Sequence, residues 1–164
     1  MTTPITIQSL IDLDYATDVR KARRKTGEKT QEFFTPWAIV EKMCKKIPQE
    51  DWRDPTKTFL EPCFGNGNFV VAIVYFRLHA KVKWRDALNT LYGVELMQDN
   101  VDECKERVLD LLDKLCIKYD REEAKQIMDK NLICHDFFTW NFQEWREYTP
   151  EELKQIEKDK KKKK

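Results

Sequence analysis

The sequence is short of the residues that usually announce catalysis. It has four glycines, two histidines and a single serine, Ser9, in 164 residues. One serine in an N-terminal segment leaves no nucleophile for a Ser–His–Asp hydrolase. Six prolines are present and no two are adjacent. Five cysteines, Cys44, Cys63, Cys104, Cys116 and Cys134, include no C-x-x-C pair. With so few histidines, no zinc-ligand spacing is spelled out, and no metal is expected. The odd cysteine count and the lack of a secretory leader set the expectation of reduced thiols in a cytoplasmic protein. No apolar run approaches the roughly 20 residues of a membrane-spanning helix, so no membrane partner is expected. The longest such run is Phe69–Phe76. Charged residues make up 36% of the chain, yet the net charge is +1. Any attraction to a polyanion must therefore be local.

What is present suits a folded domain. Hydrophobic residues are 41% and aromatics 12%, enough for a core in a chain of this length. The organisation reads as a basic arm over 1–30, one domain over 31–145 and a charged, Lys-rich tail over 146–164. Arg20, Lys21, Arg23, Arg24 and Lys25 cluster in the arm. They suit either a solvated helix end or contact with nucleic-acid phosphates. Thr35 reads as an N-cap with Pro36 at the first helical position. Ile39, Val40, Met43 and Ile47 then predict an apolar helix face. Strands are expected at 56–61, 91–96 and 131–136. The helices between them begin near Asn68 and Val101, with shorter ones in KWRDALNTL and REEAKQIMDK. Alternating strands and helices predict an α/β fold with a parallel sheet. Thr149 and Glu152 spell a capping box at the start of a solvated tail helix, and everything after Asp136 reads as helical and charged.

The stretch FLEPCFGNGNF, 59–69, concentrates the signal. Two of the four glycines, Gly65 and Gly67, stand where the first strand gives way to a helix. Such a loop lets backbone N–H groups approach a ligand, and the following helix dipole favours negative groups. Alone, Gly-x-Gly also fits a plain turn. Val70 replaces the third glycine of the dinucleotide fingerprint, and no Gly-Lys-Ser/Thr follows, so NAD and a phosphate loop are disfavoured. The companions matter more. Glu95 ends the second strand, where an acid can accept ribose hydroxyls. Asp136 ends the third, followed by Phe137 and Phe138, a carboxylate with rings suited to an adenine. Taken singly, Glu95 also fits a helix N-terminal acid and Asp136 a turn residue.

These segments together resemble the cofactor motifs of the N6-adenine-specific DNA methyltransferase family, over about residues 20–140. The family's aromatic-Thr-Pro segment matches Phe34, Thr35 and Pro36. Its Asp-Pro-x-x-Gly-x-Gly-Asn loop matches Glu61, Pro62, Gly65, Gly67 and Asn68, with Cys63 inside the loop. Its ribose acid matches Glu95, with Leu96 beside it, and its adenine-side acid matches Asp136, with Phe137 next to it. The resemblance implies S-adenosyl-L-methionine as cofactor and a truncated Rossmann-like S-adenosylmethionine-dependent methyltransferase fold of about three parallel strands. It also implies DNA as partner and a setting in bacterial or phage restriction-modification, hence the cytoplasm of a bacterial or phage-infected host cell.

One family element is missing. The catalytic Asp/Asn/Ser-Pro-Pro-aromatic motif, which receives a flipped adenine, needs adjacent prolines that this sequence does not have. No catalytic residue is therefore assigned. Pro62-Cys63 is similar to the Pro-Cys nucleophile of cytosine methyltransferases but sits inside the cofactor loop. The alternatives are a catalytically inactive subunit or decoy that binds cofactor, DNA or a partner, and a small methyltransferase acting on something other than DNA. In the family's sheet order the first strand is central. Without a fourth strand its outer edge is exposed, and an open apolar edge invites pairing. The edge is expected to be covered by the tail, by the N-terminal arm, by a second chain or by a homodimer mate.

Overall fold

The computed structural model describes residues 35–162. Phe34 and the basic stretch Arg20, Lys21, Arg23, Arg24 and Lys25 lie outside the described residues, as does the rest of the 1–30 arm. Helix α1 (Trp37–Cys44) and the short α2 (Gln49–Arg53) precede β1 (Phe59–Pro62). Then follow α3 (Asn68–His79), α4 (Trp84–Asn89), β2 (Leu91–Glu95), α5 (Gln98–Lys114) and α6 (Arg121–Asn131). Strand β3 (Leu132–Cys134) leads through a 3-10 turn (Phe137–Thr139) into a hairpin of β4 (Trp140–Asn141) and β5 (Arg146–Glu147). Helix α7 (Pro150–Lys162) completes the described residues. Among them no helix is long and apolar enough to cross a membrane.

The fold is α/β, with a parallel sheet in the order β1-β2-β3. Leu60 pairs with Tyr92 and Val94 with Ile133, so side chains alternate between two sheet faces. The main core takes Phe59, Leu91 and Leu132 from one face. Helix α3 is apolar nearly all round and buries Val70, Val71, Ile73 and Val74 there, while α5 adds Val101, Cys104, Val108, Leu111 and Leu112. Trp52 lies between Phe59 and Phe76, with ring centroids 5.1 and 5.2 Å away. The buried Arg77 on α3 uses its two terminal nitrogens, while its Nε has no hydrogen-bond partner among the described residues. It donates to the Asp54 carbonyl at 2.8 Å and the Thr90 hydroxyl at 2.9 Å, tying together the approaches to β1 and β2.

Several expectations are corrected. The first strand begins at Phe59, not residue 56, because the residues before it turn on Asp54, whose carboxylate accepts from the Thr56 N–H and hydroxyl. Pro36, not Thr35, is the residue preceding the first helix; the N–H groups of Ile39 and Val40 bond its carbonyl. The buried face of α1 is Trp37, Val40 and Cys44, while Ile39 and Met43 are exposed. A large ring at Trp37 and a small thiol at Cys44 fit against α3 where the aliphatic stripe does not. The segment after Asp136 is not all helical. Asn141 accepts the N–H groups of Gln143 and Glu144, closing a tight turn. The turn carries Trp145 onto the second sheet face, edge-on to Tyr92 at 4.8 Å. The tail's capping box forms as expected: Thr149 N–H donates to Glu152 at 2.7 Å and Glu152 N–H to the Thr149 hydroxyl at 3.3 Å. Arg146, which also donates to Glu152, and then Thr149 hold the Glu152 carboxyl down at about 2.

The hairpin reaches the β1 side of the sheet without pairing with it. Its turn and the start of β1 enclose a groove of about 380 Å³ between Leu60, Tyr92, Phe142 and Trp145. Among the described residues no strand bonds the outer edge of β1.

Gly67 shows how tightly the loop is packed. Its φ is +92°, and a Cβ there would overlap the Cys104 side chain of α5. Gly67→Ala combines left-handed strain with overpacking, and is expected to destabilise the fold by about 2–4 kcal/mol. Urea unfolding checks this as a lower midpoint with an unchanged m-value.

Candidate functional site

The carboxyl ends of the three parallel strands meet at the glycine loop. After β1 the backbone turns at Cys63, which holds φ +61°, and again at Gly65, at +56°. The Cys63 N–H donates to the Val94 carbonyl at 2.6 Å, keeping the loop against β2. Phe64 then folds over β2 at Gly93, where a Cβ would lie 2.6 Å from its ring. The chain enters α3 with Asn68 buried.

Glu95 binds this loop from the next strand. Its carboxylate accepts Gly65 N–H at 2.8 Å, Met97 N–H at 3.0 Å and the Asn100 amide at 3.4 Å. It therefore joins the glycine loop to the start of α5. A carboxylate offers about four acceptor positions, and three are in use. Arg107, fully buried, braces the loop from below. It donates to the Asn66 carbonyl at 2.6 Å and to Asn68 Oδ1 at 2.8 Å. Asn68 passes the constraint on, donating at 2.9 Å to the Thr35 carbonyl. The Thr35-Pro36 segment is thus fastened to the loop through its backbone, although Thr35 caps nothing.

Glu61 differs from the other acids. It is half-buried, and among the described residues its carboxylate has no hydrogen bond or ion pair. It lines a cleft of about 40 Å³ with Thr35, Cys63, Gly65, Asn66 and Asn68. Burial pushes its carboxyl up to about 7. Cys63 records how the strand tips converge. Its thiol is pushed above its ordinary value by desolvation, then by the carboxylates of Glu95, Glu61 and Asp136. Glu61 in β1, Glu95 at the end of β2 and Asp136 just past β3 therefore all act on one thiol, a setting that favours a cationic group. Among the described residues no group of His, Cys, Asp and Glu could hold a metal ion.

Asp136 has a local structural task. Its Oδ1 accepts Phe138 N–H at 2.9 Å and caps the 3-10 turn. The residue is exposed. Phe137 turns inward against Phe142, with centroids 4.9 Å apart, and Phe138 is the outer ring at 76% exposure. Leu96 is also exposed, beside Glu95, and its carbonyl accepts from the Cys134 thiol at 3.3 Å. Pro62 is exposed at the end of β1.

The structure thus gathers Thr35, Glu61, Cys63, Gly65, Gly67, Asn68, Glu95 and Asp136 at one end of the sheet. Sequence reading missed Arg107 and Asn100. The signal for Arg107 was available: it lies between Cys104 and Val108 on the apolar stripe of α5, where a charge must be satisfied internally. No protein-family model, no curated protein and no solved structure matches this chain.

The Glu61 carboxyl makes stability depend on pH with a definite sign. Its folded value of about 7 lies above the ordinary 4.5, so the folded state holds a proton that the unfolded state releases. The associated stability is complete below 4.5 and is lost as pH rises through 7. Glu61→Gln cannot ionise. Its melting temperature should therefore gain on wild type between about pH 5 and pH 8. A constant difference across that range in thermal scans contradicts the assignment.

Proposed function

We propose that this chain binds S-adenosylmethionine at the strand tips and is a methyltransferase-like protein of the adenine-specific DNA class, with the Rossmann-like order of that fold. The observation that supports this best is the convergence of the glycine loop, Glu95 and Asp136 in the order that the resemblance implies. In this reading Glu95 accepts the ribose hydroxyls. One acceptor position is open, and the 3.4 Å bond from Asn100 is the weakest to displace. Asp136 takes the adenine amino group through its carboxylate, with Phe138 and Leu96 as the apolar surfaces beside the ring. The acids at the strand tips suit a ligand carrying sulfonium and ammonium charges. The cleft at Glu61 has room for one small group, and the rest of the ligand lies across the open strand ends.

The cofactor supplies a methyl carbon already activated by sulfonium. Positioning is then the main demand on the protein, and no acid–base pair is required of these residues. A second reading has its own observation. Adjacent prolines are absent from the sequence, so the group that would aim the methyl at adenine is not among these residues. This favours a cofactor-binding partner subunit over a self-sufficient enzyme.

Calorimetry with S-adenosylmethionine and S-adenosylhomocysteine separates these outcomes. Saturable heat is expected, and Glu95→Ala, checked for retained fold by circular dichroism, should weaken it by about 1–3 kcal/mol. No heat and no thermal shift would overturn the cofactor reading. Radiolabelled methyl transfer to DNA by the chain alone would favour the enzyme. Binding without transfer would favour the subunit.

A further inference from the structure

The outer edge of β1 has a readable hydrogen-bonding pattern. The N–H groups of Phe59 and Cys63 point to β2, onto the carbonyls of Thr90 and Val94. Backbone groups alternate along a strand, so those of Thr58, Leu60 and Pro62 point outward. Thr58 and Leu60 each offer an outward donor and acceptor, while Pro62 offers only a carbonyl. Leu60 is 47% exposed.

We propose that two copies of this chain pair through β1, antiparallel, with Thr58 of one opposite Leu60 of the other. This register forms four main-chain hydrogen bonds, two at each Thr58–Leu60 pair, and needs no donor from Pro62. Pro62 falls opposite Thr56, whose N–H is already given to Asp54 at 2.8 Å, so the ladder ends there. The rival register, Leu60 opposite Leu60, also forms four, two at the Leu60 pair and one at each Thr58–Pro62 pair. The side chains decide between the two. On the core side, Lys57 of each copy stands opposite Glu61 of the other, a cation facing an acid that has no ion pair among the described residues. Lys57 is 47% exposed and is paired with Asp51 at 2.9 Å in its own chain. On the other face, Leu60 of each copy lies beside Thr58 of its mate. Thr58 lines the groove formed with Tyr92, Phe142 and Trp145, so the exposed leucine enters an apolar pocket. The contact is isologous and closes at two copies. It extends the sheet to six strands and covers the β1 edge of each copy. This inference stands apart from the cofactor reading, since it uses backbone pattern, charge and groove alone.

Sedimentation of the full chain up to about 100 µM, where contacts of micromolar strength are populated, should show a dimer. Leu60→Asp should be monomeric with an unchanged circular dichroism spectrum. Register is read by cross-linking in a chain whose exposed Cys63, Cys116 and Cys134 are replaced by serine. A hydrogen-bonded antiparallel pair sets Cα atoms about 5.5 Å apart, within disulfide range. Thr58→Cys mixed with Leu60→Cys should therefore form a disulfide dimer on mild oxidation, and neither variant should do so alone. A wild-type monomer at every concentration overturns the proposal and leaves the edge to another occupant. So does a dimer that survives Leu60→Asp without the mixed cross-link.

Discussion

The carboxylate of Glu95 is the junction on which the site depends. Three elements far apart in sequence end at it: the loop after β1 through Gly65, the end of β2, and the start of α5 through Met97 and Asn100. A buried carboxylate is costly unless its lone pairs are met, and here backbone and amide donors meet them. The same bonds fix where the Gly65 N–H points and how wide the cleft stands. In the proposed reading, a ribose bound at Glu95 would share this acceptor with the loop itself. Binding and loop geometry are then coupled through one side chain.

Arg107 and Asn68 carry the constraint outward. The guanidinium holds the loop carbonyl and the Asn68 side chain, and Asn68 holds the Thr35 backbone. Replacing such a buried charge is rarely neutral, because its partners are left unpaired. The glycines answer to the same packing. Gly67 is small because Cys104 is close, and Gly93 because Phe64 covers it. The loop is therefore held by side chains on α5 and β2, with its glycines making room for them.

Much of this was legible in the sequence, and the gaps have physical reasons. Parallel strands buried on at least one face read as apolar runs, so 91–96 and 131–136 were placed close to the observed β2 and β3. The capping box at Thr149 was equally clear, since both partners lie within one turn. The first helix was located but its buried face only in part: Val40 is buried as expected, while Trp37 and Cys44, not Ile39 and Met43, fill the space beside α3. The hairpin after Asp136 was invisible because its strands are two residues long and its turn rests on the Asn141 side chain. Arg107 was missed because an arginine within an apolar stripe reads as an interruption until its acceptors are seen. Asp136 is the turn-capping residue that a local reading of the sequence suggests.

The central claim concerns the Gly65 amide, the donor that Glu95 holds at the mouth of the cleft. Its resonance in a nitrogen-15 proton correlation spectrum can be followed while S-adenosylhomocysteine is added. Saturable shifts at Gly65, Gly67 and Asn100, with little change at the distant Thr149 and Glu152, are the predicted result. Unchanged resonances at all three loop positions with excess ligand would contradict the account.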